Sequence, residues 1–128
     1  MSPGLWLAVV AVVLPYVAHL PVVAARIPLG YETRHPREQS TKLTGWGARA
    51  WAAELNAFEA ALPAVVVFVI AHLTAIEPSW VWGLGLGWTV CRLGHLAAYL
   101  GNVAPLRSTM FGLANLCLGA LLVLAALG

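Results

Sequence analysis

From Pro3 to Ala25 the chain carries no charged side chain. A run of about 20 mostly apolar residues is what an α-helix needs to cross the hydrocarbon of a bilayer. A cleavable secretory signal is the rival reading, but nothing basic precedes Leu5, so it lacks the required start. The pattern then recurs three times. Ala60–Ile76 is charge-free, Ser79–Gly101 is apolar apart from a few residues near its end, and Pro105–Leu127 is almost entirely Leu, Ala, Val and Gly after Ser108. With 61% hydrophobic and 9% charged residues, a soluble domain of 128 residues could not hide its apolar surface. The expectation is one all-α membrane domain over residues 1–128. It is a four-helix transmembrane bundle, with spans at about 4–25, 46–75, 79–101 and 105–127.

Prolines 15 and 21 fall inside the first span and Pro63 inside the second, where neighbouring helices can satisfy the freed carbonyls. His19, between the first two, reads as a residue facing other helices and satisfied by a local hydrogen bond. Trp80, Trp82 and Trp88 read as an aromatic belt at one end of the third span. Gly83, Gly85 and Gly87 read as points of close helix contact. Asn115, alone in the middle of the fourth span, reads as an interhelical hydrogen bond. Cys91 and Cys117 both lie in apolar segments, which argues for small buried side chains rather than a disulfide framework. No metal site is expected.

Arg26–Gly45 is the one long polar segment, and Pro28, Gly30, Pro36 and Gly45 break any helix in it. It gathers Arg26, Arg34, Arg37 and Lys42, whereas the opposite connection around Glu77 and Pro78 has no Lys or Arg. The positive-inside rule therefore puts Arg26–Gly45 in the cytoplasm and both termini outside. The net charge is only +2 and no basic run is present, so nucleic acid is not an expected partner.

Polar residues inside the spans are expensive and mark candidate functional positions. On the third span Arg92, His95 and Tyr99 fall at i, i+3 and i+7 and share a face. Pro105 starts the next helix, with Arg107 and Ser108 in its first turn. On the second span Arg49, Ala52, Asn56 and Glu59 form one stripe, and Glu54 lies off it, reading as a contact to the loop or the headgroups. Measured along straight helices at 1.5 Å per residue, Asn56 lies about 15 Å and Glu59 about 20 Å below the cytoplasmic end, and Arg92 about 13 Å. Those depths predict a Glu59–Arg92 pair with Asn56 bridging. Arg26, Arg49, Arg107 and Tyr99 are expected to ring one pocket at the membrane surface, suited to an anionic ligand. The bland alternative for each arginine is snorkelling to lipid phosphates.

These residues carry a resemblance. R-x-x-H-x-x-x-Y at Arg92, His95 and Tyr99, P-x-R-S at Pro105, Arg107 and Ser108, and N-x-x-E at Asn56 and Glu59 followed by Pro63 are similar to the MAPEG family, the membrane-associated proteins of eicosanoid and glutathione metabolism. The loop Gly30–Arg37 resembles that of the bacterial branch, which implies a bacterial inner membrane. The resemblance implies a homotrimer that binds glutathione between protomers and conjugates or reduces small hydrophobic electrophiles arriving from membrane lipid. Arg107 would stabilise the thiolate and Ser108 would assist it. Arg26, Asn56, Glu59, Arg92, His95 and Tyr99 would line the cofactor site. Ala52 and Phe111 depart from the prostaglandin synthase branch, which has an arginine and a tyrosine there; Glu54 and Leu55 replace basic or histidine residues of those relatives. A non-catalytic scaffold that binds a lipid or another anionic ligand is the other reading. A small multidrug transporter, which also has four spans, would resemble a pattern with an acid embedded in span one, and this span has none.

Overall fold

The computed structural model describes residues 1–128 and is all-helical. Four long helices, α1 (Pro3–Arg26), α3 (Gly45–Leu73), α4 (Pro78–Leu100) and α5 (Ala104–Leu127), form the bundle, and a short α2 (Pro36–Thr41) lies in the loop after α1. Three stretches are long and apolar enough to cross a membrane: Pro3–Leu29, Gly45–Leu73 and Ala104–Leu127. α4 is not among them. Its 23 residues include Arg92, His95 and several glycines, and these lower its hydropathy.

The helices begin where local chemistry favours it. Ser2 caps α1, its hydroxyl accepting from the Leu5 N–H, and proline occupies the first turn of α1, α2, α4 and α5. α1 continues through Pro15 and Pro21, and α3 through Pro63. The loop departs from the sequence expectation. Pro36 does not break a helix but starts one, because its missing N–H costs nothing in a first turn. Gly30 and Gly45, at φ +72° and +54°, supply the left-handed turns on either side of α2.

α1 packs mainly on α3, and α4 on α5. Lipid tails are as apolar as leucine, so burial alone does not hold such helices together; close packing does. A β-carbon on Gly4 would lie 2.5 Å from the Phe68 carbonyl oxygen, and one on Gly85 would lie 2.2 Å from Leu7. Those two glycines let α1 approach both α3 and α4. Gly83 faces open space, so it is not one of the expected contact points. Trp88 is also not a belt residue. It is buried at the centre of the core and meets Phe68 edge-on at 5.5 Å, whereas Trp80 and Trp82 are exposed.

The α4–α5 connection sets the angle of the candidate site. The Asn102 N–H donates to the Tyr99 carbonyl and the Val103 N–H to the Ala98 carbonyl, with Asn102 at φ +56°. This is a Schellman turn closed by asparagine, the non-glycine residue that best tolerates that conformation. It reverses the chain within three residues and returns Arg107 to the level of Tyr99.

Candidate functional site

Arg92 is 7% exposed and reaches across to α3. Its Nη2 donates to Asn56 Oδ1 at 2.7 Å and more weakly to the Asn56 carbonyl at 3.4 Å. The expected Glu59–Arg92 pair does not form. Glu59 is exposed and belongs to neither of the protomer's two ion pairs. Rotation of α3 decides this: Asn56 and Glu59 lie three residues apart, hence about 60° apart around the helix, and α3 turns the former toward α4. Glu59 still shares a cavity of about 250 Å³ with Asn56, Arg92, Phe111 and Asn115. Asn115 makes no interhelical hydrogen bond. It is exposed and lines the same cavity.

The α4 face continues as the spacing predicts. His95, 3% exposed, lies edge-on to the Tyr99 ring at 5.5 Å and near the Phe111 ring at 6.2 Å. The Arg107 guanidinium sits over the other part of this aromatic cluster, 4.6 Å from the Tyr99 ring centre, a cation–π contact. Arg107 is half-buried and has no carboxylate partner, and Ser108 beside it is exposed. Arg49 donates to the Leu100 carbonyl at 3.4 Å and so secures the end of α4 against α3. Asn56, Glu59, Arg92, His95, Tyr99 and Arg107 thus lie along one face formed by α3, α4 and the start of α5.

Arg26 is elsewhere, so the expected ring of arginines is not assembled within one protomer. It is 2% exposed. Its Nε donates to Gln39 Oε1 at 2.9 Å, its Nη2 donates to the Glu32 carbonyl at 2.5 Å, and Tyr31 covers its face at 4.1 Å. Gln39 in turn donates to the Gly30 carbonyl and accepts from the Glu32 N–H, so one glutamine ties both strands of the loop to the arginine.

Sequence reasoning missed one pair. His19 on α1 donates through Nδ1 to Glu54 Oε1 on α3 at 2.6 Å. Glu54 therefore contacts a neighbouring helix rather than the loop or headgroups. The signal was there in two polar side chains on adjacent apolar helices, each lacking a partner on its own helix.

Chemically, the α3–α4–α5 face offers two guanidiniums without a carboxylate partner, one unpaired carboxylate, a phenol and a helix N-terminus. Together they suit a polar ligand bearing both signs of charge. A model of the MAPEG family matches residues 3–127. The chain belongs to the MAPEG family. It is therefore an integral, multi-pass membrane protein built as a helical bundle, with a role of the membrane glutathione-transferase kind or related to it. No curated protein matches the chain. For a MAPEG protein, the free groups on this one face are the natural place to look for its ligand.

Proposed function

We propose that this protein is a membrane glutathione transferase or peroxidase that conjugates or reduces small hydrophobic electrophiles. It would work as a homotrimer in a bacterial inner membrane, with Arg26–Gly45 on the cytoplasmic side. The observation that carries this reading is Arg107: a half-buried cation over Tyr99, in the first turn of α5, with no carboxylate to neutralise it. A cation and a helix N-terminus beside a thiol lower its pKa and raise the thiolate fraction at neutral pH. Glutathione carries carboxylates, an ammonium and a thiol. Arg92 and Asn56 would take a carboxylate, Glu59 the ammonium, and Arg107 with Ser108 the sulfur. In conjugation by substitution the thiol proton passes to water, the thiolate sulfur forms a bond to the electrophilic carbon, and the bond from that carbon to the leaving group breaks, the leaving group departing with the electron pair.

The test is the ultraviolet absorbance of bound glutathione. At neutral pH a thiolate band is expected with the wild type, although free thiols with a pKa of about 8.5 are mostly protonated there. Arg107→Ala should abolish it along with most turnover, and Arg107→Lys should restore only part, since an ammonium lacks the planar fork. Absence of the band at saturating glutathione overturns the transferase reading. The second reading is a non-catalytic scaffold for a lipid or other anionic ligand. It is favoured by Arg26, one of the cations the resemblance assigns to the ligand, whose bonds all go to its own loop. On that reading Arg107 variants change stability or lipid binding and nothing else.

A further inference from the structure

Arg92 has a second side. Besides the cavity of the ligand face, it lines a small cavity in the core of the protomer, where α1, α3 and α4 meet. This inner cavity leaves about 20 Å³ for the centre of a water-sized sphere. One water needs roughly 10–15 Å³ by that measure, so the space takes one water and nothing as large as glutathione. Its walls are mostly apolar, with Ala11 and Ala18 from α1 and Ala53 and Ala57 from α3. Arg92 and His95, both on α4, are its two ionisable side chains.

A wholly apolar cavity stays dry. Three groups make this one different. Arg92 carries five N–H donors, yet its bonds come from Nη2 alone and both go to Asn56. It is buried and has no carboxylate partner. His95 is buried as well, and its ring nitrogens make no hydrogen bond within the protomer. No sealed-off side-chain nitrogen or oxygen is left without a partner. The unbonded nitrogens of Arg92 and His95 therefore border open space rather than packed hydrocarbon. The third group is on α1. Pro15 has no N–H, so the Ala11 carbonyl loses its usual helical donor. Ala11 and Pro15 are both fully buried, so that carbonyl reaches neither bulk water nor headgroups. In membrane helices such carbonyls are met by neighbouring side chains or by ordered waters.

We propose that a single resident water sits in this inner cavity, accepting from Arg92 and donating to His95 and to the Ala11 carbonyl. About three partners is usual for a buried water. The water solvates a guanidinium that Asn56 alone leaves short of acceptors. It also ties α1 to the arginine that borders the ligand face. Pro15 is then a positioning residue for Arg92, acting from a helix with no residue in the ligand-face cavity. The site does not depend on whether glutathione binds.

The experiment uses the full-length protein with isotope-labelled histidine, in phosphatidylcholine vesicles without glutathione. Solid-state NMR reads polarisation transfer from water protons to the His95 ring, identified as the signal missing in His95→Phe. Transfer to His95 is expected in the wild type. Ala53→Val, which puts a larger side chain on the α3 wall of the cavity, should lose it, while transfer to the exposed His35 stays. Pro15→Ala, which returns an N–H to the Ala11 carbonyl, should reduce it. A crystal structure of the wild type that resolves ordered waters gives a second reading, so the test stands even if Ala53→Val does not fold. It should show one density peak within hydrogen-bond distance of Arg92, His95 and the Ala11 carbonyl. Four results overturn the proposal. The first is no transfer to His95 in the wild type. The second is equal transfer in Ala53→Val, which would bring the water from the ligand face. The third is equal transfer in Pro15→Ala, which would leave α1 out of the site. The fourth is a structure with no peak at that position.

Discussion

Arg26 and Arg92 are both buried arginines in membrane helices, yet they are held in different ways. Arg26 donates from Nε and Nη2 to two different loop groups, and an aromatic ring closes over its face. Its partners Tyr31, Glu32 and Gln39 all follow within thirteen residues. Arg92 donates from Nη2 alone, to a single residue thirty-six positions away, and opens onto a cavity that also holds an unpaired carboxylate. Burial is nearly the same in the two cases. What separates them is how much hydrogen-bonding capacity the protomer itself consumes. The first arginine organises a loop, and the second is left with capacity for a ligand.

The largest effect that would sharpen this contrast is on stability at Arg26. Arg26→Met removes two hydrogen bonds from a charged donor, at roughly 1.5–3 kcal/mol each, so a loss of about 3 kcal/mol or more is expected in thermal unfolding. A normal unfolding temperature together with lost glutathione binding would reverse the assignment of the two arginines. Next comes Arg92. Arg92→Met should cost less stability but reduce glutathione affinity about tenfold or more in equilibrium titration, the size of one charge-assisted hydrogen bond. Asn56→Ala should cost more stability than Arg92→Met, about 1.5–3 kcal/mol, because it strands a buried guanidinium, and should weaken glutathione binding as well. Tyr31→Leu should remove only the ring over Arg26, costing about 0.5–1 kcal/mol in stability and nothing in ligand binding. Glu59→Gln should be smallest of all in the ligand-free protein, within about 0.5 kcal/mol, because Glu59 has no partner there. A large destabilisation by Glu59→Gln would restore the ion pair that the structure lacks.

The four long helices were legible in the sequence, since crossing a bilayer takes a run of about 20 apolar residues, although α4 falls short of the apolarity that marks the other three. The face bearing Arg92, His95 and Tyr99 was legible for a related reason, because helical spacing survives whatever the neighbours do. Partners were not. Depth along a helix is a one-dimensional quantity, and choosing Asn56 over Glu59 needs the rotation of α3 about its own axis, which only the packed neighbours fix. The same blindness hid His19–Glu54 and placed Trp88 at the membrane surface, when its contact with Phe68 puts it inside. α2 escaped notice because a six-residue helix framed by two glycines has too few turns for periodicity to show.

The length of α3 has a consequence for the membrane around the protein. Its 29 residues extend about 43 Å, against a hydrocarbon thickness of about 30 Å. If the apolar end is seated at Leu73, the water boundary falls near Ala53, less than two turns before Glu59. Asn56 and Glu59 then sit just inside the oily layer, where a few ångströms of thickening or thinning decides whether water reaches them. Bilayer thickness would therefore act as a control on the hydration of this face, independent of any ligand, and the same protein reconstituted in short-chain and long-chain lipids would present its acidic group to two different solvents.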